Sequence, residues 1–128
     1  MTGATEQTAD HWILALALVP HPEGGSFREC HCSAGSIPKD ALPNGFDGDR
    51  SYVTVIYFLL RANEFSAFHR IRSDETWHFH AGAPITIHET RSGGPMRHRT
   101  LGLDPEAGAV PVCVVPGGSW FGGTCAYS

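Results

Sequence analysis

Between Phe68 and Gly82 the chain sets three histidines, His69, His78 and His80, and one carboxylate, Glu75, on two segments joined by the short turn Ser73-Asp74. Two imidazoles and a carboxylate are the ligand set of many iron, manganese and zinc sites. The same groups serve as a metal-free general acid and base, because imidazole titrates near neutrality. If the two segments pair as neighbouring antiparallel strands, His69 comes within ~5 Å of Glu75 or His78. Strand parity works against the full set. His78 and His80 share one face, whereas Glu75, Trp77 and Phe79 share the other. Glu75 and His78 can enter one pocket only if the strand bulges or Glu75 still belongs to the turn. Other side chains have two roles open to them. Tyr57 lies in a strongly apolar run, so its hydroxyl needs a partner, either in the core or in a pocket. Glu23 and Arg28 line a pocket mouth or pair with each other. Trp77 and Trp120 are core or pocket wall. Cys30-His31-Cys32 is half a metal site with no second half, so small buried cysteines are the expectation there. No Lys follows Gly117-Gly118, which excludes a phosphate loop, and no Gly-x-Ser-x-Gly supports a hydrolase.

The elements that must hold these groups are short. The chain has 128 residues, of which 24 are Gly or Pro (15 and 9), and that much punctuation favours strands and turns over long helices. One helix is expected, over about 10–19, N-capped by Asp10 and ended by Pro20. Strand segments follow at Gly25 to Cys32, Ser51 to Leu60, Phe65 to Arg72, Glu75 to His80, Pro84 to Thr90, Met96 to Leu101, Val110 to Val115 and Trp120 to Tyr127, with a long loop from Ala34 to Asp49. Ser51 to Leu60 is apolar almost throughout and reads as a strand covered on both faces. Short strands at even spacing mean a sandwich or a barrel. The Cys and Trp positions do not make an immunoglobulin frame, so a jelly-roll barrel enclosing a pocket is preferred. Nine Lys and Arg against thirteen Asp and Glu give a net charge of −4, which lacks the footprint of a nucleic-acid binder. The apolar stretch Trp12 to Val19 has no basic lead and is too short to span a membrane, so a cytoplasmic protein with free thiols is expected.

At its motif level the chain resembles the cupin superfamily. Cupins carry a first motif of His, Glu and a closing Gly, matched by His69, Glu75 and Gly82, and a second around Pro-x-Gly, matched by Pro116-Gly117-Gly118. The resemblance sharpens to a small single-domain family, the fifth cupin family, a domain of unknown function. Its opening motif is matched by Pro20-His21-Pro22-Glu23-Gly24-Gly25-Ser26-Phe27-Arg28-Glu29. Ile56 to Leu60, Phe68-His69-Arg70, Ser73 to Gly82, Leu101-Gly102 and Val114 to Trp120 follow in the family's order. The resemblance implies an all-β double-stranded β-helix, a jelly-roll barrel, with one short N-terminal helix. It makes residues 1–128 a single cupin domain, with the barrel from about 24 to 128 and a C-terminus short for the family.

The function it implies is a small-molecule enzyme acting on a polar, carbonyl-bearing, sugar-like substrate. The class is isomerase or epimerase, or lyase, with His69 as general base. Glu75, His78 and Tyr57 complete the catalytic group, and Glu23, Arg28, Arg70, Trp77, His80 and Trp120 are the substrate-binding candidates. Metal-binding cupins place a ligand three residues after the second-motif Gly, and that position is Phe121, which cannot ligate. No tightly bound cofactor is therefore expected. A weak divalent metal would have to use His69, Glu75 and His78, or recruit His80 or His88. An oxygenase-like metal enzyme and a non-catalytic ligand-binding cupin are the alternatives. The expected partners are the small molecule and a second copy in a homodimer, with no nucleic acid and no membrane.

Overall fold

A computed structural model describes residues 8–125. The helix α1 spans Ala9–Ala15. Its cap is Thr8 rather than Asp10, because the Thr8 hydroxyl accepts the His11 backbone N–H at 3.2 Å. It also ends earlier than expected. Ala17 takes a positive φ of 53°, and Leu18 N–H donates back to Ile13 O at 3.0 Å, which closes the helix before the proline is reached.

Twelve strands follow among the described residues: β1 Val19–Pro20, β2 Ser26–Cys32, β3 Ser36–Ile37, β4 Arg50–Ser51, β5 Thr54–Leu59, β6 Phe65–Arg70, β7 Glu75–His78, β8 Ile85–Thr90, β9 Arg97–Leu101, β10 Ala109–Val110, β11 Val112–Val115 and β12 Trp120–Cys125. The fold is mostly β with one short helix. All pairings are antiparallel except that of β10 with β9. The expected strand through Tyr127 runs past Cys125 into residues outside those described. The expected loop 34–49 is not featureless: β3 pairs with β4, and a 3-10 turn covers Lys39–Ala41.

The described residues form two compact units. The first comprises 8–21 and 25–59 and holds α1, the sheet β1-β2-β5 and the small β3-β4 ribbon. In it, β5 departs from expectation. Val55, Ile56 and Tyr57 remain 45%, 41% and 45% exposed, so this run is not covered on both faces. Among the described residues it stands at the edge of its sheet and pairs only with β2.

The second unit comprises 22–24 and 60–125. It holds the five-stranded sheet β10-β9-β8-β12-β6 and the ribbon β11-β7. Ile87, Leu101, Phe121, Cys113 and Val115 form its core, each 0–2% exposed, with Ile71, Trp77, Phe79 and Ile85 packed against them. Burying a side chain of this kind contributes about 1.5–3 kcal/mol. The core is reached from both layers, because Cys113 and Val115 project from β11 while Ile87 and Phe121 project from β8 and β12.

Candidate active site

Register decides which side chains share the interior of the second unit. Directly opposed residues of antiparallel strands point to the same face. Arg97 opposes Glu89, Glu89 opposes Phe121, and Phe121 opposes His69. These four residues make one row across β9, β8, β12 and β6. The next row is Arg99, Ile87, Gly123 and Ser66. Since Ile87, Glu89 and Phe121 are 0–1% exposed, this is the inner face.

His69 owes its place to a β-bulge. Phe121 pairs with His69, yet Gly123 pairs with Ser66, so Ala67 and Phe68 together oppose the single residue Gly122. The bulge fits because position 122 is glycine: a Cβ there would stand 2.6 Å from the Ser66 carbonyl oxygen. The bulged backbone is tied down on its other side, where Ala67 N–H donates to Glu23 O at 2.7 Å. His69 Nδ1 lies 2.7 Å from Ala67 O. A carbonyl only accepts, so Nδ1 carries the proton and Nε2 keeps its lone pair in the neutral ring. The ring lies over Phe121 with centroids 4.3 Å apart.

The carboxylates sit on two different strands. Trp77 Nε1–H donates to Glu75 Oε2 at 2.7 Å, along the inner face of β7. Glu89 is 1% exposed and accepts from Arg99 Nη2 at 2.6 Å and from the Ser119 hydroxyl at 3.2 Å. A buried carboxylate held by a guanidinium and a hydroxyl is a costly arrangement that fixes its surroundings. Arg99 Nε is itself buried without a hydrogen-bond partner. Glu89, Arg91, Gly94, Pro95 and Arg97 line a cleft of about 370 Å³ at the β8–β9 hairpin. Sequence reasoning missed Glu89, Arg91, Arg97, Arg99 and Ser119. The signal for Glu89 was present: Ile85, Ile87 and Glu89 alternate, so parity carries Glu89 onto the same face as the two isoleucines.

One expectation is corrected. β6 and β7 are not neighbours. β6 pairs with β12, and β7 pairs with β11. His69 therefore does not meet Glu75 or His78 across a hairpin. Glu75 opens β7 as a strand residue, opposite Val115, and shares its face with Trp77. His78 opposes Val112 on the exposed face, and His80 is exposed just beyond the strand. Among the described residues no group of three or more His, Cys, Asp or Glu is arranged to hold a metal ion, so His69, Glu75 and His78 do not fit that role together. Arg70 and Trp120 pair on the outer face, the guanidinium 5.9 Å from the ring centroid. Arg28 opposes Tyr57 in the first unit, where both are exposed. Glu23 is half-buried in the second.

The second-motif turn clamps the first. Gly117 N–H donates to Asp74 Oδ1 at 2.8 Å and Gly118 N–H to Ile71 O at 2.8 Å. On the outer face, desolvation and then His98 hold His88 below the usual imidazole range. Burial pushes the Cys113 thiol up, against a smaller opposing pull from Arg99.

A family model described as Cupin superfamily (DUF985) matches residues 10–128. Among solved structures, a hypothetical protein from Leishmania major is 36% identical with a TM-score of 0.83, over 92% of this chain and 70% of that one. A protein from Shewanella oneidensis, known from X-ray crystallography, is 38% identical with a TM-score of 0.84, over 95% of this chain and 72% of that one. No curated protein matches the chain.

Proposed function

The chain belongs to the cupin superfamily, in the family described as DUF985, and from that premise we propose a small-molecule enzyme that works by acid–base chemistry at His69. The observation that carries the proposal is the His69 tautomer. With Nδ1–H given to Ala67 O, the Nε2 lone pair belongs to a ring fixed against Phe121, and a fixed lone pair on an apolar wall suits a general base. The substrate is a polar, carbonyl-bearing acid or sugar-like molecule. Nε2 takes the proton from the carbon next to the carbonyl, and the electron pair of that C–H bond becomes an enolate. Protonation of the enolate on its opposite face by a second acid, the role proposed for Glu75, gives an epimer, and His69 then passes its own proton to solvent. Expelling a group from the next carbon gives a lyase product.

Arg91 and Arg97 bring positive charge to the cleft at the β8–β9 hairpin, two strands along the row from His69, where Glu89 also lies. Glu75, oriented by Trp77, is a second proton-carrying group for the same interior.

The test is deuterium exchange. The protein is incubated in D2O with a panel of 2-hydroxy acids, 2-keto acids and uronic acids, and exchange at the carbon next to the carbonyl is followed by NMR. Catalysed exchange that disappears in His69→Gln supports the proposal. Exchange that survives His69→Gln overturns it, and ligand binding with no exchange for any compound makes the chain a binding module instead.

We also propose that two copies associate through the exposed apolar surface of Tyr52, Val53, Val55, Ile56 and Tyr57, which borders the open edge of β5. Light scattering at about twice 13.8 kDa supports this, and a constant monomer mass overturns it. Four free cysteines fit a reducing, cytoplasmic setting. Among the described residues no helix is long and apolar enough to cross a membrane.

A further inference from the structure

The outer face of the five-stranded sheet carries a second histidine cluster that the acid–base proposal does not use. His88 on β8 and His98 on β9 are directly opposed across an antiparallel pair. Their Nδ1 atoms converge to 2.7 Å, and the rings stand nearly perpendicular at 78° with centroids 4.9 Å apart. The His88 ring has room to lean because its other cross-strand neighbour is Gly122. On that side His88 Nε2 lies 2.9 Å from the Thr124 hydroxyl.

Two Nδ1 atoms at this distance share one proton, the first ring donating and the second accepting. The point between them is one to which two lone pairs can be directed from a backbone whose spacing the sheet fixes. We propose that His88 and His98 form a two-histidine chelate for a first-row divalent cation of the zinc, nickel and copper class, with Thr124 as the partner that orients His88. Two metal–nitrogen bonds of ~2.0–2.1 Å at a tetrahedral angle need the nitrogens about 3.3 Å apart, so the rings must part by about 0.6 Å. Small side-chain rotations supply that without moving either strand.

Proton placement is consistent with the proposal. Both rings must carry their proton on Nε2 when both Nδ1 atoms ligate. For His88 that proton goes to the Thr124 hydroxyl oxygen, and for His98, which is exposed, it goes to solvent. No proton is lost overall, since the neutral pair already holds one per ring. Such an outer contact is the usual way a ligating histidine is locked in its tautomer. Water completes the coordination, because the described residues add no third His, Cys, Asp or Glu. The affinity class is therefore that of an open surface chelate, and the cation ties β8 to β9. The chelate lies on the opposite sheet face from His69, and its fate is independent of the proposed enzyme activity.

The experiment is calorimetric titration of the full chain with zinc chloride, repeated on Cys30→Ser/Cys32→Ser to remove the exposed thiols. One zinc ion per chain is expected in both. His98→Ala lowers the affinity at least tenfold, His88→Ala does the same, and Thr124→Val weakens binding by about tenfold, as loss of an outer partner does. His69→Ala leaves binding unchanged. Because His98 is exposed, its removal leaves the fold intact, which circular dichroism checks. Long-range 1H–15N spectra should show the His88 and His98 Nδ1 resonances moving together on zinc addition. Binding that is indifferent to His98→Ala, that vanishes with the Cys30/Cys32 or His69 variants, or that is undetectable at 1 mM zinc overturns the proposal.

Discussion

Replacing Arg99 by Met tests the electrostatic frame of the interior. Glu89 is 1% exposed and accepts hydrogen bonds from Arg99 at 2.6 Å and Ser119 at 3.2 Å. Two opposite charges about 4 Å apart interact by about 4 kcal/mol at an effective dielectric of ~20. Arg99→Met removes that attraction and leaves a carboxylate with one neutral hydroxyl, so a loss of about 3–5 kcal/mol is expected. Glu89→Gln is the milder change. It keeps the shape and an acceptor, and the orphaned guanidinium is 23% exposed and can reach water. About 1–3 kcal/mol is expected there. Removing both charges with Glu89→Leu/Arg99→Met should recover most of the loss, because neither partner is then stranded. Urea unfolding followed by tryptophan fluorescence, with all four proteins at one pH and ionic strength, measures the cycle. The reasoning fails if Arg99→Met lies within 1 kcal/mol of the parent, if Glu89→Gln is the more damaging, or if the double variant is no better than Arg99→Met alone.

Other consequences are checked more briefly. Gly122→Ala places a Cβ 2.6 Å from Ser66 O, so it should cost about 1–3 kcal/mol and abolish His69-dependent exchange even where the protein is folded; unchanged exchange would dissociate the bulge from the base. Trp77→Phe removes the donor to Glu75 and should lower the urea midpoint by about 1 kcal/mol equivalent, a loss that Glu75→Gln partly duplicates if the two act as one pair. A disulfide reagent should find the exposed Cys30 and Cys32 quickly and Cys113 only after unfolding, as a count of fast and slow thiols will read. Cys113 also sets an alkaline limit. Burial holds its folded pKa above the ordinary thiol value of 9.0, so the unfolded chain loses the proton first, and stability should fall as pH rises through that value. Burial, and then Glu64, push the Cys125 thiol up in the same way, so Cys113→Ala should reduce the alkaline slope and Cys113→Ala/Cys125→Ala should remove the thiol part of it.

Most element positions could be read from residue pattern, and the family from its motifs, because strand runs and turns are local. β5 was placed correctly along the chain, but its exposure was not foreseen: hydropathy reports what a strand can bury, while coverage depends on what stands against it. The pairing of β6 with β12 and of β7 with β11 joins residues far apart in sequence, and nothing in a single turn such as Ser73-Asp74 announces that its two flanks separate into different sheets. For β7 the parity of Glu75 and His78 was legible and held. The escape from it, a Glu75 still in the turn, was not realised. The inner row was half-legible. His69 was found from its motif, whereas Glu89 needed parity to be followed past Ile87 into a charged residue, against the habit of placing carboxylates outside. Arg99 then follows, since a carboxylate that deep requires a cation.

The extra residue in β6 works as a phase shifter. Side chains along a strand keep a two-residue beat, and the two residues opposite Gly122 slip that beat by one step between Ser66 and His69. Both therefore face inward although an odd number of positions separates them. Deleting Ala67 would change no catalytic side chain. It would restore the uninterrupted beat: with Ser66 held at Gly123, Phe68 would oppose Gly122, and the histidine, now the serine's neighbour by two, would still face Phe121 in the inner row. What the deletion takes away is the Ala67 carbonyl that fixes the His69 tautomer and the Ala67 N–H that ties the bulge to Glu23, so the base would keep its row and lose its anchor. The stretches on either side of the bulge are decoupled, so the inner wall at Ser66 can be re-lined for a different substrate without rotating the imidazole out of place.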